Sequence, residues 1–131
     1  MSKVVLDASA VLAVLRQEPG ADRVLARISG AIISAVNYAE VVARLASKGS
    51  DLSQVLIDLS NLLRDIRPFD QEQAQDTGML EATTRPFGLS LGDRTCLVLA
   101  KSLGLPVLTA DQAWAKLDIG VSIELIRGNP S

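Results

Sequence analysis

The sequence predicts an α/β fold with a parallel sheet, and three observations indicate it. Residues 4–6 form a short, fully apolar run, typical of a strand that is covered on both faces. Several such runs alternate with longer segments whose apolar residues recur at helical spacing, which implies parallel strands joined by right-handed crossovers. The 48% hydrophobic content includes only two Phe, one Tyr and one Trp, which favours an aliphatic α/β core over an aromatic β-sandwich.

The length and the hydropathy limit the class of protein. The 131 residues predict a single domain over residues 1–131, large enough to fold without disulfides. No apolar run is long enough to cross a membrane, and Asp7 interrupts the only candidate for a secretory leader. We therefore expect a cytoplasmic protein.

The charged and catalytic residue types exclude several functions. Thirteen basic and fifteen acidic side chains give a net charge of −2, so the chain lacks the overall positive charge of a non-specific nucleic-acid binder. It contains no histidine and one cysteine, Cys96, which excludes a Ser-His-Asp triad, a Cys-His dyad, histidine acid–base catalysis and an ordinary zinc site. Any catalysis would depend on carboxylates, hydroxyls, basic side chains or a hard metal ion.

The first strand runs directly into an acidic residue, Asp7, and a helical pattern over residues 8–16 begins just after it. In parallel sheets the C-terminal ends of the strands face the crevice where ligands bind, so Asp7 would lie at a functional position. The alternative is that Asp7 is only the N-cap of the helix, accepting a hydrogen bond from the N–H of Ser9 or Ala10.

The next segment places a second acid beside an apolar stripe. A helix ending at Gly30 precedes a strand over residues 31–34 and a third helix over residues 35–47. Within that third helix, Glu40 lies beside the apolar stripe rather than opposite it, so it needs a partner. The alternative role for Glu40 is an intrahelical ion pair with Arg44.

The middle of the chain is predicted to be mainly helical, with its helices packed against the rest of the fold. Asp51 is predicted to cap a helix that continues to Leu63, and residues 66–69 are brief and extended because Pro68 disfavours helix before it. A more polar helix over residues 71–84 and a loop over residues 85–88 follow.

Two further acids occupy comparable positions near the C-terminus. A helix from Ser90 to Gly104 carries Asp93 in line with its apolar stripe and Cys96 on its inner face, and Asp93 could instead complete a capping box with Ser90. A strand over residues 105–109 then runs into Asp111, which could also be a plain N-cap. A short helix containing the packing residue Trp114 and a last strand over residues 121–126 complete the chain.

The four acids have a shared explanation in the predicted topology. These acids are Asp7, Glu40, Asp93 and Asp111. Four carboxylates converging on one sheet edge would repel one another and raise each other's pKa values, and a divalent cation would relieve that repulsion. Oxygen ligands without His or Cys favour Mg²⁺ or Mn²⁺, which generate hydroxide from bound water and stabilise phosphoryl displacement. The sequence thus suggests phosphodiester hydrolysis.

Four ordered motifs resemble a known family. They are VVLDAS at residues 4–9, SAVNYAEV at 34–41, LSLGD at 89–93 and LTAD at 108–111. Together they resemble PIN-domain ribonucleases, most closely the short bacterial VapC-type toxins of type II toxin–antitoxin pairs, over nearly the whole chain.

The resemblance implies a three-layer α/β/α sandwich with a central parallel sheet. It implies that the four acids hold Mg²⁺ or Mn²⁺ and position the attacking water, with Ser9 and Thr109 as supporting hydroxyls. Family members cut single-stranded regions of structured RNA, commonly tRNA, and leave a 5′-phosphate. The resemblance therefore implies RNA, a VapB-like antitoxin and a second copy of the chain as partners.

One position departs from the family pattern. The residue after Asp93 is often small in this family, whereas here it is Arg94, which could contact RNA phosphate, clash with the site or form a surface ion pair. Arg16, Arg85 and Lys116 are weaker phosphate candidates.

Two rival functions remain open at this stage. The first is an Mg²⁺-dependent phosphatase or phosphotransfer domain with Asp7 as nucleophile, although a phosphatase would prefer an aspartate at the position of Ser9. The second is a non-catalytic PIN-like module that binds an antitoxin or RNA.

Overall fold

A computed structural model describes residues 2–128, and within them the strands form one parallel sheet. The strands are β1 (Val4–Leu6), β2 (Ala31–Ser34), β3 (Ile66–Arg67), β4 (Val107–Thr109) and β5 (Ile123–Leu125). Their order is β3-β2-β1-β4-β5, and all neighbouring pairs are parallel. The predicted parallel sheet is confirmed, and β1, which precedes Asp7, is its central strand.

Helices connect and cover these strands. Over residues 2–128 they are α1 (Ala8–Leu15), α2 (Ala21–Leu25), α3 (Ala35–Ser47), α4 (Leu52–Leu62), α5 (Gln71–Met79), α6 (Glu81–Thr84) and α7 (Leu91–Leu103). Three 3₁₀ turns cover Ile28–Gly30, Arg85–Phe87 and Gln112–Lys116. Within the same residues, no helix has the length and apolar character needed to cross a membrane.

The two faces of the sheet carry separate apolar clusters. Val4 and Leu6 of β1 face one cluster, which α1, α3 and α4 complete. Val5 points to the opposite face, into a cluster formed with α7 and Trp114. All three residues of β1 have no exposed surface, so the sheet is covered on both sides. The predicted three-layer α/β/α sandwich is confirmed.

Helix boundaries differ from the sequence expectation at two places. The predicted helix over residues 71–84 is divided at Leu80 into α5 and α6, in a polar segment that contains the weak helix former Gly78. The predicted second helix is also shorter, because α2 ends at Leu25 and a 3₁₀ turn leads into β2.

The last two strands are shorter than predicted. The strand expected from residue 105 begins at Val107, because the Leu105 N–H donates to the Ala100 carbonyl at the end of α7 and Pro106 has no N–H. The strand expected over residues 121–126 is confined to Ile123–Leu125. These differences shorten the elements without changing their order.

The packing of α4 yields a stability prediction. Leu59 is fully buried in the cluster beneath α4, whereas Leu56 on the same helix is 44% exposed. We expect Leu59→Ala to lower the free energy of unfolding by about 2–5 kcal/mol and Leu56→Ala to lower it by less than about 1 kcal/mol. Urea denaturation measures both values, and equal effects of the two substitutions would contradict the described packing.

Candidate active site

A cleft of about 410 Å³ opens where β1 and β4 end. All four acids singled out in the sequence line it: Asp7, Glu40, Asp93 and Asp111. They arrive there from different elements, because Asp7 follows β1, Glu40 lies in α3, Asp93 lies in the first turn of α7, and Asp111 follows β4. The predicted convergence on one edge of the sheet is therefore present.

Asp7 is the most deeply placed of these acids, with 5% of its surface exposed. Its Oδ1 accepts hydrogen bonds from the Ala10 backbone N–H at 2.9 Å and from the Ser9 hydroxyl at 2.7 Å. Its Oδ2 accepts one from the Thr109 hydroxyl at 2.6 Å. Asp7 is thus the N-cap of α1 and also lines the cleft. The two interpretations of Asp7, as a helix cap and as a residue of the crevice, are therefore compatible.

The surroundings of Asp7 make its ionised form costly. Burial raises the pKa of Asp7 from 3.8 to about 6, although the hydrogen bonds from Thr109, Ser9 and Ala10 lower it, and the negative charge of Asp93 raises it further. Anything positive that enters the cleft would reverse the effect of Asp93 and favour the carboxylate.

Cys96 lies beneath the same acids. It is fully buried, and burial raises the pKa of its thiol well above the usual value, with further increases from the charges of Asp7, Asp93 and Glu40. The prediction that Cys96 is a core residue is confirmed. The same three carboxylates line the cleft.

Ser9 and Thr109 connect the ends of β1 and β4. The Ser9 hydroxyl accepts a hydrogen bond from the Ala110 N–H at 2.9 Å, and the Thr109 hydroxyl accepts one from the Asp111 N–H at 3.0 Å. Since both hydroxyls also donate to Asp7, they hold the carboxylate and the loop after β4 together. Ser9 lines the cleft, whereas Thr109 is fully buried.

Glu40 is held by an amide rather than by a cation. The Asn37 Nδ2 donates to Glu40 Oε1 at 2.8 Å and to the Gly92 carbonyl at 3.0 Å. The alternative pair between Glu40 and Arg44 does not form among the ion pairs of residues 2–128. Arg44 instead lines the cleft with Glu40.

The remaining two acids also act as caps. The Asp93 carboxylate accepts from the Ser90 N–H at 3.0 Å while the Ser90 hydroxyl accepts from the Asp93 N–H at 3.1 Å, so the expected capping box is present. Asp111 accepts from the Ala113 N–H at 3.0 Å and is exposed. In the part of the chain that the structure describes, no three acidic side chains form a ready-made metal cage.

Most of the basic residues proposed to bind phosphate lie outside the cleft. Arg94 is half-buried and donates to the Thr77 carbonyl at 3.0 Å, so its side chain turns toward α5, and it does not line the cleft. Arg85 pairs with Glu81, and Lys116 lines a separate groove. Of the predicted phosphate candidates, Arg16 alone lines the cleft.

Two further arginines line the cleft, and the sequence analysis did not propose them as phosphate ligands. They are Arg44, which is exposed, and Arg127, which donates to the Glu18 carboxylate and to the Pro19 carbonyl at 3.1 Å each. The cleft is therefore lined by both carboxylates and arginines.

Asn37 is the site residue that sequence reasoning missed. Only 1% of its surface is exposed, and its Oδ1 is buried without a hydrogen-bond partner in the protein, which costs on the order of 1–3 kcal/mol. A signal was available, because an amide stands one helical turn before Glu40 within the apolar stripe of α3.

Comparison with known protein families agrees with this geometry. The family model described as "PIN domain" matches residues 4–120. The chain belongs to the PIN domain family. A comparison of this PIN domain with curated protein sequences gives no match.

Solved structures resemble this PIN domain over almost its whole length. One is a DNA-bound VapBC complex from Salmonella typhimurium, with a TM-score of 0.72 and 21% identity, covering 97% of this chain and 100% of that chain. Another is a toxin–antitoxin complex from Klebsiella pneumoniae, with a TM-score of 0.69 and 19% identity, covering 91% and 95%. FitAcB from Neisseria gonorrhoeae has a TM-score of 0.63 and 23% identity, covering 92% and 95%. At these identities the likeness shows a shared fold.

The buried carboxylate of Asp7 predicts a specific pH dependence of stability. Its pKa is about 6 in the folded chain against 3.8 for the free group, so the folded state binds this proton more tightly than the unfolded state. The resulting stabilisation is fully present below about pH 4 and is lost as the pH rises through about 6, at a cost of about 3 kcal/mol. We expect Asp7→Asn to be more stable than the parent at pH 7.5 and to lack this loss.

Chemical denaturation between pH 4 and pH 8 measures both effects. Asp58→Asn removes the charge of an exposed aspartate on α4 and should keep the pH profile of the parent. An Asp7→Asn variant that also kept that profile would show that Asp7 is not the source of the pH dependence.

Proposed function

We propose that this PIN domain is a Mg²⁺- or Mn²⁺-dependent endoribonuclease, the toxin of a type II toxin–antitoxin pair. It would hydrolyse phosphodiester bonds in tRNA or another structured RNA of the cytoplasm with a metal-activated water. The observation that carries the proposal is the convergence of four carboxylates from separate elements on one cleft, where the Asp7 carboxylate is buried.

The donor set of the cleft fits a hard divalent cation. Its acidic lining offers carboxylate oxygens only, which suits Mg²⁺ and Mn²⁺ better than metals that prefer His or Cys. Mg²⁺ usually keeps several waters and is bound through one or two carboxylates together with substrate phosphates, so it does not require a closed protein cage. The four acids that line the cleft, Asp7, Glu40, Asp93 and Asp111, would hold it.

Other residues around the cleft would support the bound ion and the substrate. A bound ion would lower the pKa of a water and neutralise charge on the phosphate. Ser9 and Thr109 hold the Asp7 carboxylate in one orientation, and Glu40 and Asp93 offer oxygens that can orient the attacking water and accept its proton. Arg16 and Arg44 lie where they can bind phosphates of the substrate strand.

The partners are proposed from the family and its structural neighbours. VapBC and related toxin–antitoxin complexes have the same fold as this chain, which supports a VapB-like antitoxin as a partner. RNA as the substrate and a homodimer as the working assembly follow from the resemblance to VapC-type toxins.

The two rival functions are less well supported by the geometry. A phosphatase that uses Asp7 as a nucleophile would prefer a second aspartate where Ser9 stands. A non-catalytic module remains an outcome of the experiment below, although packing alone does not require acids to converge in one cleft.

Cleavage assays test the proposal. We expect the pure protein to cut cellular RNA at discrete sites with Mg²⁺ or Mn²⁺, to leave 5′-phosphates and to stop when EDTA is added. Asp93→Asn should lower the cleavage rate by more than tenfold to hundredfold, which is the loss expected when only a partner of a metal ligand is removed. This variant keeps an oxygen that can accept from the Ser90 N–H, so the capping box can persist.

Asp58→Asn serves as the matched control, because it removes the same charge from an exposed position outside the cleft. It should cut at the rate of the parent. A folded parent that binds Mn²⁺ and never cuts RNA would contradict the nuclease and favour the binding module. Release of phosphate from monoesters would favour the phosphatase instead.

A further inference from the structure

We propose that Asn37 is a positioning residue that fixes the Glu40 carboxylate in the cleft, with Gly92 providing the space for it. This inference rests on the proposed function, because it assigns Asn37 and Gly92 to the same metal-binding cleft. Neither residue carries a charge, and neither would be a direct ligand in this account.

The Asn37 amide has one orientation that its partners allow. Its nitrogen donates to the Glu40 carboxylate and to the Gly92 carbonyl, and both of these groups can only accept. An oxygen at that position would face two acceptors, so the amide cannot turn over. Asn37 thereby joins α3 to the first turn of α7 and places the Glu40 side chain between them.

Gly92 is required for the position that the carboxylate occupies. A Cβ built at Gly92 would overlap the Glu40 carboxylate and lie 2.6 Å from its Oε1. The Glu40 carboxylate therefore lies directly against the backbone of α7, next to Asp93. Because the overlapping group is the tip of a flexible side chain, an added Cβ would move the carboxylate and leave the backbone in place.

A role of Asn37 in joining α3 to α7 does not by itself explain why an amide is buried at this position. Asn37 is 1% exposed and retains a buried Oδ1 without a partner, so an apolar side chain would suit the packing of α3 better. The Asn37 amide holds the Glu40 carboxylate in one position. A free Glu40 side chain would sample several rotamers, and ordering it only when an ion binds would weaken binding.

Mn²⁺ affinity measured by titration separates positioning from stability. We expect Asn37→Ala to weaken Mn²⁺ binding about tenfold. In a Glu40→Ala background, the same substitution should change the affinity less than about twofold, because Asn37 acts through Glu40. Gly92→Ala should also weaken Mn²⁺ binding in a protein that still folds, because the added Cβ meets only the tip of the Glu40 side chain. It keeps the test informative if Asn37→Ala does not fold.

Ser34→Ala, at the N-cap of α3, is the control. Ser34 caps α3 by accepting from the Val36 N–H, and it does not line the cleft. Its substitution should lower stability and leave Mn²⁺ affinity unchanged. Parent-like affinity in a folded Asn37→Ala or Gly92→Ala protein, or an equal loss with and without Glu40, would overturn the positioning role while leaving the proposed function intact. A parent protein that bound no Mn²⁺ would overturn both.

Discussion

The structure depends on keeping one carboxylate, that of Asp7, buried at the end of the central strand. Its two oxygens are held by the Ser9 and Thr109 hydroxyls and by the Ala10 N–H. These donors reduce the cost of burial without removing it, because the pKa of Asp7 is still raised to about 6. A carboxylate that destabilises the fold near neutral pH is understandable when function requires its charge, since such sites commonly trade stability for activity.

The α/β topology explains how the other acids reach Asp7. Parallel strands bring the ends of β1 and β4 to one edge, and the first turns of α1 and α7 lie at the same cleft. A helix N-terminus favours negative charge, so Asp7 and Asp93 can cap α1 and α7 while they line the cleft. Capping and a position in the cleft are therefore compatible at Asp7, Asp93 and Asp111, which is why each of these three acids taken alone had two plausible interpretations.

Much of this arrangement could be predicted from the sequence because it depends on local signals. Apolar runs identified the strands, and the caps at Asp7, Ser90 and Asp111 fixed the starts of the elements around the cleft. The order of strands and helices then brought the acids to one edge. Helix α3 was predicted with its observed bounds, Ala35–Ser47.

Other features depend on contacts between distant residues, and local patterns do not contain them. The link from Asn37 to the Gly92 carbonyl joins residues 55 positions apart, and the direction of the Arg94 side chain depends on where α5 packs. In these cases the structure supplied what propensity and spacing did not.

The central claim is that the converging carboxylates form a site for a divalent cation. Anomalous diffraction at the manganese edge, from crystals grown with Mn²⁺, tests it most directly. We expect an anomalous peak within coordination distance of carboxylates that line the cleft, Asp7 among them, with waters completing the shell. A well-ordered cleft without such a peak, or Mn²⁺ bound only elsewhere on the protein, would contradict it.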